Sequence, residues 1–232
     1  LWDAATHEEL AVLETGWAFC VAWSPDGKQL AVGTAAGVMQ VWDVATKTRL
    51  RELKDPAASM SAAIISTGWS SPAGGGQVIA SGHLDGRIYL WNAETGEQVR
   101  AIEGYTSARC DTNGLAWSPD GHVLATAHQD GKVRLWNPET GQELQTLTGH
   151  GGWVRGIAWS PDGRWLASTG QDRRVRLWDA ETGQCLAILR DLKLAAWSVG
   201  WSPDGSRLAA GDGAYDEKSP PGKVVVWTAS LP

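Results

Sequence analysis

Between Gly149 and Leu189 the chain alternates four short apolar runs with three turns. "GIAW" and "WLAST" flank Ser160-Pro161-Asp162-Gly163, where proline fixes one turn dihedral and glycine accepts positive φ. "VRLW" alternates apolar and polar positions, as a half-buried strand does. Ala180-Glu181-Thr182-Gly183 makes a further turn before "QCLAIL". Nothing in the stretch has helical periodicity, so the pattern predicts a four-stranded antiparallel unit.

The unit recurs along the chain. Trp23, Trp69, Trp117, Trp159 and Trp201 each precede a Ser-Pro-Asp-Gly turn or a looser version of it, at steps of 42 to 48 residues. A second marker, an apolar residue followed by Trp and then Asp, Asn or Thr, falls at Trp2, Trp42, Trp91, Trp136, Trp178 and Trp227. Two interleaved markers holding one period identify a repeat protein. One sheet of this kind cannot cover both of its apolar faces; stacking around an axis does. The 15 Trp against one Phe and three Tyr fit a repeated position that takes Trp.

Composition narrows the function classes. A net charge of −6 gives no overall basic field for nucleic acid or anionic lipid. No apolar run approaches a membrane span, so neither nucleic acid nor membrane is an expected partner. Cys20, Cys110 and Cys185 are odd in number and form no CxxC pair, which suits a reducing, cytoplasmic location better than a disulfide framework. No cofactor and no metal is expected. The Asp-Gly turns lack the D-x-[DN]-x-[DN]-G run of a calcium loop, and Gly74-Gly75-Gly76 lacks the Lys-Ser/Thr of a phosphate cradle. His83 and His128 occupy equivalent places in adjacent copies, but two histidines without a nearby carboxylate or thiol make a thin ligand set.

These residues resemble the WD-repeat β-propellers, across essentially all 232 positions. The fullest match is Gly149-His150, Ser160-Pro161-Asp162-Gly163, Asp172 and Trp178-Asp179; the Pro-Asp-Gly turns and Trp richness look most like bacterial members. The resemblance implies an all-β propeller of four-stranded antiparallel blades, the innermost strand first in each copy. It also implies that His150, Ser168, Asp172 and Trp178 form a hydrogen-bonded chain tying the blade together, not a catalytic triad. Thr126, Asp130 and Trp136, with Tyr105 near the His position, keep the chain in part, as do Ser81, Asp85 and Trp91. The first copy has Ala36 in place of the Asp, and the fifth is interrupted by "DGAYDEKSPPGK".

Counting back six and four from each innermost-strand Trp gives Trp17 and Phe19, Ala63 and Ile65, Asp111 and Asn113, Trp153 and Arg155, and Ala195 and Trp197. In the family this strand entrance faces the rim where inter-blade loops gather, together with the residue before the turn Asp: Leu84, Gln129 and Gln171, with Ala35 at the degenerate site. These positions vary while the turns barely change, as a binding face on a repeated scaffold should. The expected partner-binding set is Trp17, Phe19, Leu84, Asp111, Asn113, Gln129, Trp153, Arg155, Gln171, Arg173 and Trp197. Arg155, Arg173, Arg174 and Arg176 suit an acidic or phosphorylated protein or peptide partner; a solvated basic loop is the plainer reading.

The chain reads as one domain: residues 1–14 as the end of a preceding repeat, then repeats at approximately 15–54, 55–104, 105–149, 150–192 and 193–232. Residues 8–14 can supply the fourth strand that the last copy lacks and close a five-bladed ring. The alternative is part of a larger ring, with copies before Leu1; the opening Leu-Trp-Asp in place of Met favours it. An incomplete ring exposes blade faces and invites self-association. Three functions follow: a non-catalytic interaction scaffold, set by family analogy in a larger bacterial signalling or defence protein; an architectural assembly module; and a hydrolase-like propeller enzyme, for which no acid, base and nucleophile stand apart from the repeat.

Overall fold

A computed structural model describes residues 1–54, 62–70, 77–103, 112–214 and 220–228. Among them there are strands and turns and no helix. The first sheet comprises β1 (Ala18–Trp23), β2 (Gln29–Thr34), β3 (Met39–Asp43) and β4 (Arg49–Leu53). The second comprises β5 (Ile64–Ser70), β6 (Val78–His83), β7 (Ile88–Asn92) and β8 (Gln98–Ile102). The third has β9 (Thr112–Trp117), β10 (Leu124–His128), β11 (Lys132–Trp136) and β12 (Glu143–Thr148). The fourth has β13 (Val154–Trp159), β14 (Trp165–Gly170), β15 (Val175–Asp179) and β16 (Cys185–Leu189). The fifth has β17 (Ala195–Trp201), β18 (Arg207–Gly213) and β19 (Val224–Thr228). Strand order follows chain order in every sheet and neighbours are antiparallel, so each sheet is a meander.

Each repeat marker has a local physical cause. In the Ser-Pro-Asp-Gly turns, Ser24, Ser118, Ser160 and Ser202 donate their hydroxyls to Asp26, Asp120, Asp162 and Asp204 at 2.5 to 2.7 Å. The same hydroxyls accept the N–H of the residue at or just before the start of the next strand, at 2.8 to 2.9 Å. These bonds hold the turn carboxyls below the usual range, and Asp204, which also takes Ser206, falls to about 2. The Asp or Asn after the later Trp is a turn acceptor too. Asp179 receives the N–H groups of Glu181 and Thr182, and Asn92 and Asn137 do likewise.

The core lies between sheets, not within them. Met39, Val41 and Leu53 of the first sheet meet Ile64, Ile79 and Trp91 of the second. Leu135 and Leu147 of the third meet Val154, Leu166 and Trp178 of the fourth. First strands pack in sequence: β1 on β5, β5 on β9, β9 on β13, and β13 on β17. The indoles stitch this inner wall, since Trp117 donates to the Gly68 carbonyl at 3.3 Å and Trp159 to that of Ala116 at 3.1 Å. These are the blades of a β-propeller.

The arc is open in this structure. Among the described residues β17 has no comparable packing on β1, and Phe19, Val21 and Trp23 of β1 are each more than half exposed. Closure by residues 8–14, one of the two arrangements the sequence allows, is not seen: among the described residues the fifth sheet has three strands. Instead Leu1 and Leu13 pack on Leu30, Val32 and Trp42 of the first blade, and Glu9 bridges back to Trp2. Packing against the adjacent apolar blade face outweighs pairing with a strand at the far end of the arc.

Candidate functional site

Every first strand carries a β-bulge, and always at the residue four before its Trp. Ala18 pairs with Thr34 and Cys20 with Gly33, leaving Phe19 between them unpaired. Ile65, Asn113, Arg155 and Trp197 are left unpaired in the same way in the other four blades. A bulge bends its strand and re-aims the extra side chain. Here it presents five different side chains at five equivalent points: aromatic, aliphatic, amide, guanidinium and indole.

The bulge is built from small residues. The position after it is Cys20, Ser66, Gly114, Gly156 or Ser198, facing Gly33, Gly82, Ala127, Thr169 or Gly211 across the ladder. A Cβ on Gly156 would stand 2.6 Å from Thr169 Oγ1 and 3.0 Å from the Ser198 backbone of the next blade. Close blade approach at this level needs that space.

The other expected rim positions are joined to the bulge by backbone. Ala35 donates its N–H to the Trp17 carbonyl at 2.8 Å, Leu84 to that of Ala63 at 2.9 Å, and Gln171 to that of Trp153 at 2.8 Å. Hairpin tip and strand entrance therefore form one edge. Trp17 is 85% exposed and, with Ala35, Val38 and Gln40, walls a surface groove. Gln129 is half-buried on the third hairpin. Asp111, Tyr105, Cys110 and Gly74-Gly75-Gly76 lie outside the described residues.

Blade four gathers the most chemistry. The Arg155 guanidinium sits 3.7 Å from the centroid of the Trp197 ring and 5.1 Å from that of Trp153. Asn113 of the preceding blade donates to the Val154 carbonyl at 3.1 Å, and Trp197 donates its own indole N–H to Gly213 at 3.0 Å. Arg173 sits on the adjoining hairpin with φ +62°, at the place where the other three hairpins use Gly37, Gly86 and Gly131. A left-handed arginine is strained where the repeat prefers glycine. Arg176 is not on this face. It is buried and donates to the Gly149 carbonyl at 2.5 Å.

His150, Ser168, Asp172 and Trp178 come together. His150 lies 2.9 Å from Asp172 Oδ1 through Nδ1 and 2.8 Å from Ser168 Oγ through Nε2, and Trp178 donates its indole N–H to the same Oγ at 2.8 Å. The distances are those of a hydrolase triad, but the environment is not. Ser168 is fully buried, and Trp178 occupies the oxygen that a nucleophile would present. Burial raises the Asp172 carboxyl's pKa, but the bond from His150, its charge and the Gly151 N–H together hold it below the ordinary value.

Blades two and three correct the expected chains. Trp91 donates to Ser81 at 3.0 Å and Trp136 to Thr126 at 2.8 Å, as in blade four. The histidine, however, comes from the end of the second strand: His83 meets Ser81 at 3.1 Å and His128 meets Thr126 at 2.7 Å. Asp85 instead pairs with Arg87, and Asp130 forms a fork with buried Arg134 at 2.5 and 3.2 Å. An imidazole reaching from residue 83 or 128 fills the space that His150 fills from the inter-blade loop. The two histidines that suggested a metal pair thus sit in separate blades. The described residues hold no group of three or more His, Cys, Asp or Glu that could hold a metal ion.

In blades one, two, four and five a buried or half-buried polar residue also ties the incoming linker. Gln40, which accepts from Trp42, donates to the Thr15 carbonyl at 3.3 Å. His83 meets the Ala62 carbonyl at 3.0 Å, and Asp172 takes the Gly151 N–H at 3.1 Å. In blade five Asp212 accepts the N–H groups of Lys193 and Leu194 at 2.9 and 3.2 Å. In these four blades different chemistry performs one task, fixing the loop that leads into the bulge.

The profile described as "WD domain, G-beta repeat" matches residues 8–43 and 141–179. Those two segments are similar to WD40 repeats. A second profile, "Anaphase-promoting complex subunit 4 WD40 domain", matches residues 104–151. Among curated relatives, the chain is 32% identical over 124 residues to the B-type cell cycle switch protein ccs52A of Medicago truncatula. It is 31% identical over 122 residues to "Cell division cycle 20.1, cofactor of APC complex" of Arabidopsis thaliana. It is 30% identical over 124 residues to the WD repeat-containing protein slp1 of Schizosaccharomyces pombe. These matches cover 51 to 52% of this chain and 23 to 24% of the relatives, so the matched part spans about a quarter of their length. A chain in the crystal structure of the mitotic checkpoint complex superposes with a TM-score of 0.81 at 26% identity, covering 99% of this chain and 67% of that one. The named curated relatives are eukaryotic, and none supports the likeness to bacterial members.

Proposed function

We propose that the chain is a non-catalytic scaffold that binds a protein or peptide partner along the bulged rim. One observation carries the reading: five bulges at one register aim five unlike side chains at one edge, on a frame whose turns barely vary. Trp153, Arg155 and Trp197 are of the kinds that dominate binding hot spots. The printed names of the relatives, a cofactor of the APC complex and a cell cycle switch protein, are consistent with work through partners. The arginines of blade four favour an acidic partner, and a reducing compartment such as the cytoplasm suits free Cys20 and Cys185. Nothing in the relatives supports the bacterial signalling or defence setting.

The test is a photo-crosslinking residue placed in turn at Phe19, Asn113 and Trp153 on the rim, and at exposed Val99 and Leu144 on outer strands. Crosslinks to another protein in the native host from rim positions alone support the reading. Crosslinks only from the outer strands refute it. The exposed face of β1 favours assembly as a second reading. That one predicts crosslinks between copies from Val21 and Trp23, and a concentration-dependent mass in solution.

A further inference from the structure

We infer that Arg155, held between Trp153 and Trp197, is the receptor for a carboxylate of the bound partner, an aspartate or glutamate side chain. The inference rests on the rim reading above and gives the partner's chemistry at blade four.

Arg155 is a bulge residue, so its side chain is re-aimed from the ladder to the rim. Its guanidinium lies against the Trp197 ring at 3.7 Å with Trp153 at 5.1 Å. Both rings come from positions that the repeat does not fix, since the −6 and −4 places elsewhere hold Ala63, Ile65 and Asn113. Stacking fixes the plane of the fork and removes part of the entropy that an exposed arginine loses on binding. Flanking indoles also exclude water from one side, which strengthens a charge-assisted hydrogen bond.

Among the described residues the fork is not spent on an acid. Its Nε is buried without a hydrogen-bond partner, and among the described residues no carboxylate pairs with Arg155. Arg134, by contrast, is buried against Asp130 and Glu143, and Arg176 is committed to the Gly149 carbonyl. Asp172, the acid of the adjoining hairpin, is taken by His150 and Gly151. Exposed Arg173 and half-buried Arg174 on that hairpin add positive potential. A guanidinium that is oriented, partly desolvated and unneutralised matches a planar carboxylate in two parallel N–H···O bonds. The overall charge of −6 opposes an acidic ligand, so binding of one reports this local geometry, not the general field.

The test uses the 232-residue chain and a fluorescein-labelled deca-glutamate peptide, with deca-lysine as control, by fluorescence anisotropy at low salt. Arg155→Gln should weaken deca-glutamate binding about tenfold, and Arg155→Lys nearly as much, because an ammonium lacks the fork. Arg164→Gln removes an arginine that stacks on Trp165 away from the rim; it should change binding less than about twofold. Independently of any variant, the Trp197 indole N–H signal should shift as deca-glutamate is added. An unmoved signal, or equal losses in Arg155→Gln and Arg164→Gln, overturns the inference. So does a phosphoserine decapeptide that binds tenfold tighter than deca-glutamate, since it makes phosphate the ligand. If crosslinking from Phe19, Asn113 and Trp153 persists while deca-glutamate shows no dependence on Arg155, the carboxylate assignment falls and the rim reading stands. If both fail, both fall.

Discussion

Replacing Ser168 with alanine strands two buried groups at once. The Trp178 indole N–H loses its acceptor at 2.8 Å, and His150 Nε2 loses its partner at 2.8 Å. Trp178 is 2% exposed and the His150 side chain 1%, so water does not readily replace the hydroxyl. An unpaired buried polar group costs about 1–3 kcal/mol, so the substitution should destabilise by about 2–5 kcal/mol. Blade five lacks the hydroxyl but gives its Trp another acceptor, so its donor is not stranded. Ala210 stands at the same register there, and Trp227 donates to Asp191 at 3.0 Å. The double variant Ser168→Ala with Trp178→Phe removes one stranded donor, and the cycle should show coupling of about 1–2 kcal/mol. Urea unfolding gives the total. Because repeat arrays can unfold blade by blade, hydrogen exchange should show the loss concentrated in β13–β16 and spare β5–β8. A cost below about 0.5 kcal/mol, or no coupling in the cycle, refutes the view that this chain of bonds holds the blade.

Gly156→Ala puts a methyl group 2.6 Å from Thr169 Oγ1 and 3.0 Å from the Ser198 backbone; it should cost about 1–3 kcal/mol in thermal unfolding, and a neutral result would mean that the blades are not in contact there. Arg173→Gly relieves a φ of +62° and should raise stability by about 1 kcal/mol, read from the melting midpoint. The lowered pKa of Asp172 means that its contribution is complete above the unfolded carboxylate value of about 4 and is lost as pH falls through the folded value. The melting midpoint should thus drop more steeply as pH falls below about 4 in the parent than in Asp172→Asn, and parallel curves would contradict it. Burial pushes the Cys20 thiol up to about 12; at pH near 8, site-resolved mass spectrometry should find iodoacetamide on exposed Cys185 well before Cys20.

Much of the fold is legible in the chain because its causes are local. Ser-Pro-Asp-Gly encodes its own hydrogen bonds: Ser160 reaches Asp162 and Trp165 without help from the rest of the molecule. The Asp or Asn after Trp likewise caps a turn made of the next three residues. Alternation then places the strands, and the period places the sheets. The rim register was legible too, since a count from each Trp reaches the same strand position. Its cause, the bulge, was not recognised, although the small residues opposite each other at 20 and 33, 66 and 82, or 156 and 169 are a signal that could have shown it. The role of the histidines in blades two and three is illegible for a different reason. Nothing near residue 83 or 128 says that an imidazole from the end of the second strand can fill the place that His150 fills from a loop in blade four.

The sequence by itself determined the strands, the turns, the order of the blades and the positions free to vary, because each depends on neighbours within one repeat. Only the tertiary structure decided which side chain completes each buried chain, where residues 8–14 pack, and that Arg155 meets two indoles, one of them from the next blade. Those outcomes depend on the distance between sheets, which no single repeat contains: a bond across that gap forms wherever some side chain, from either direction, is long enough to close it.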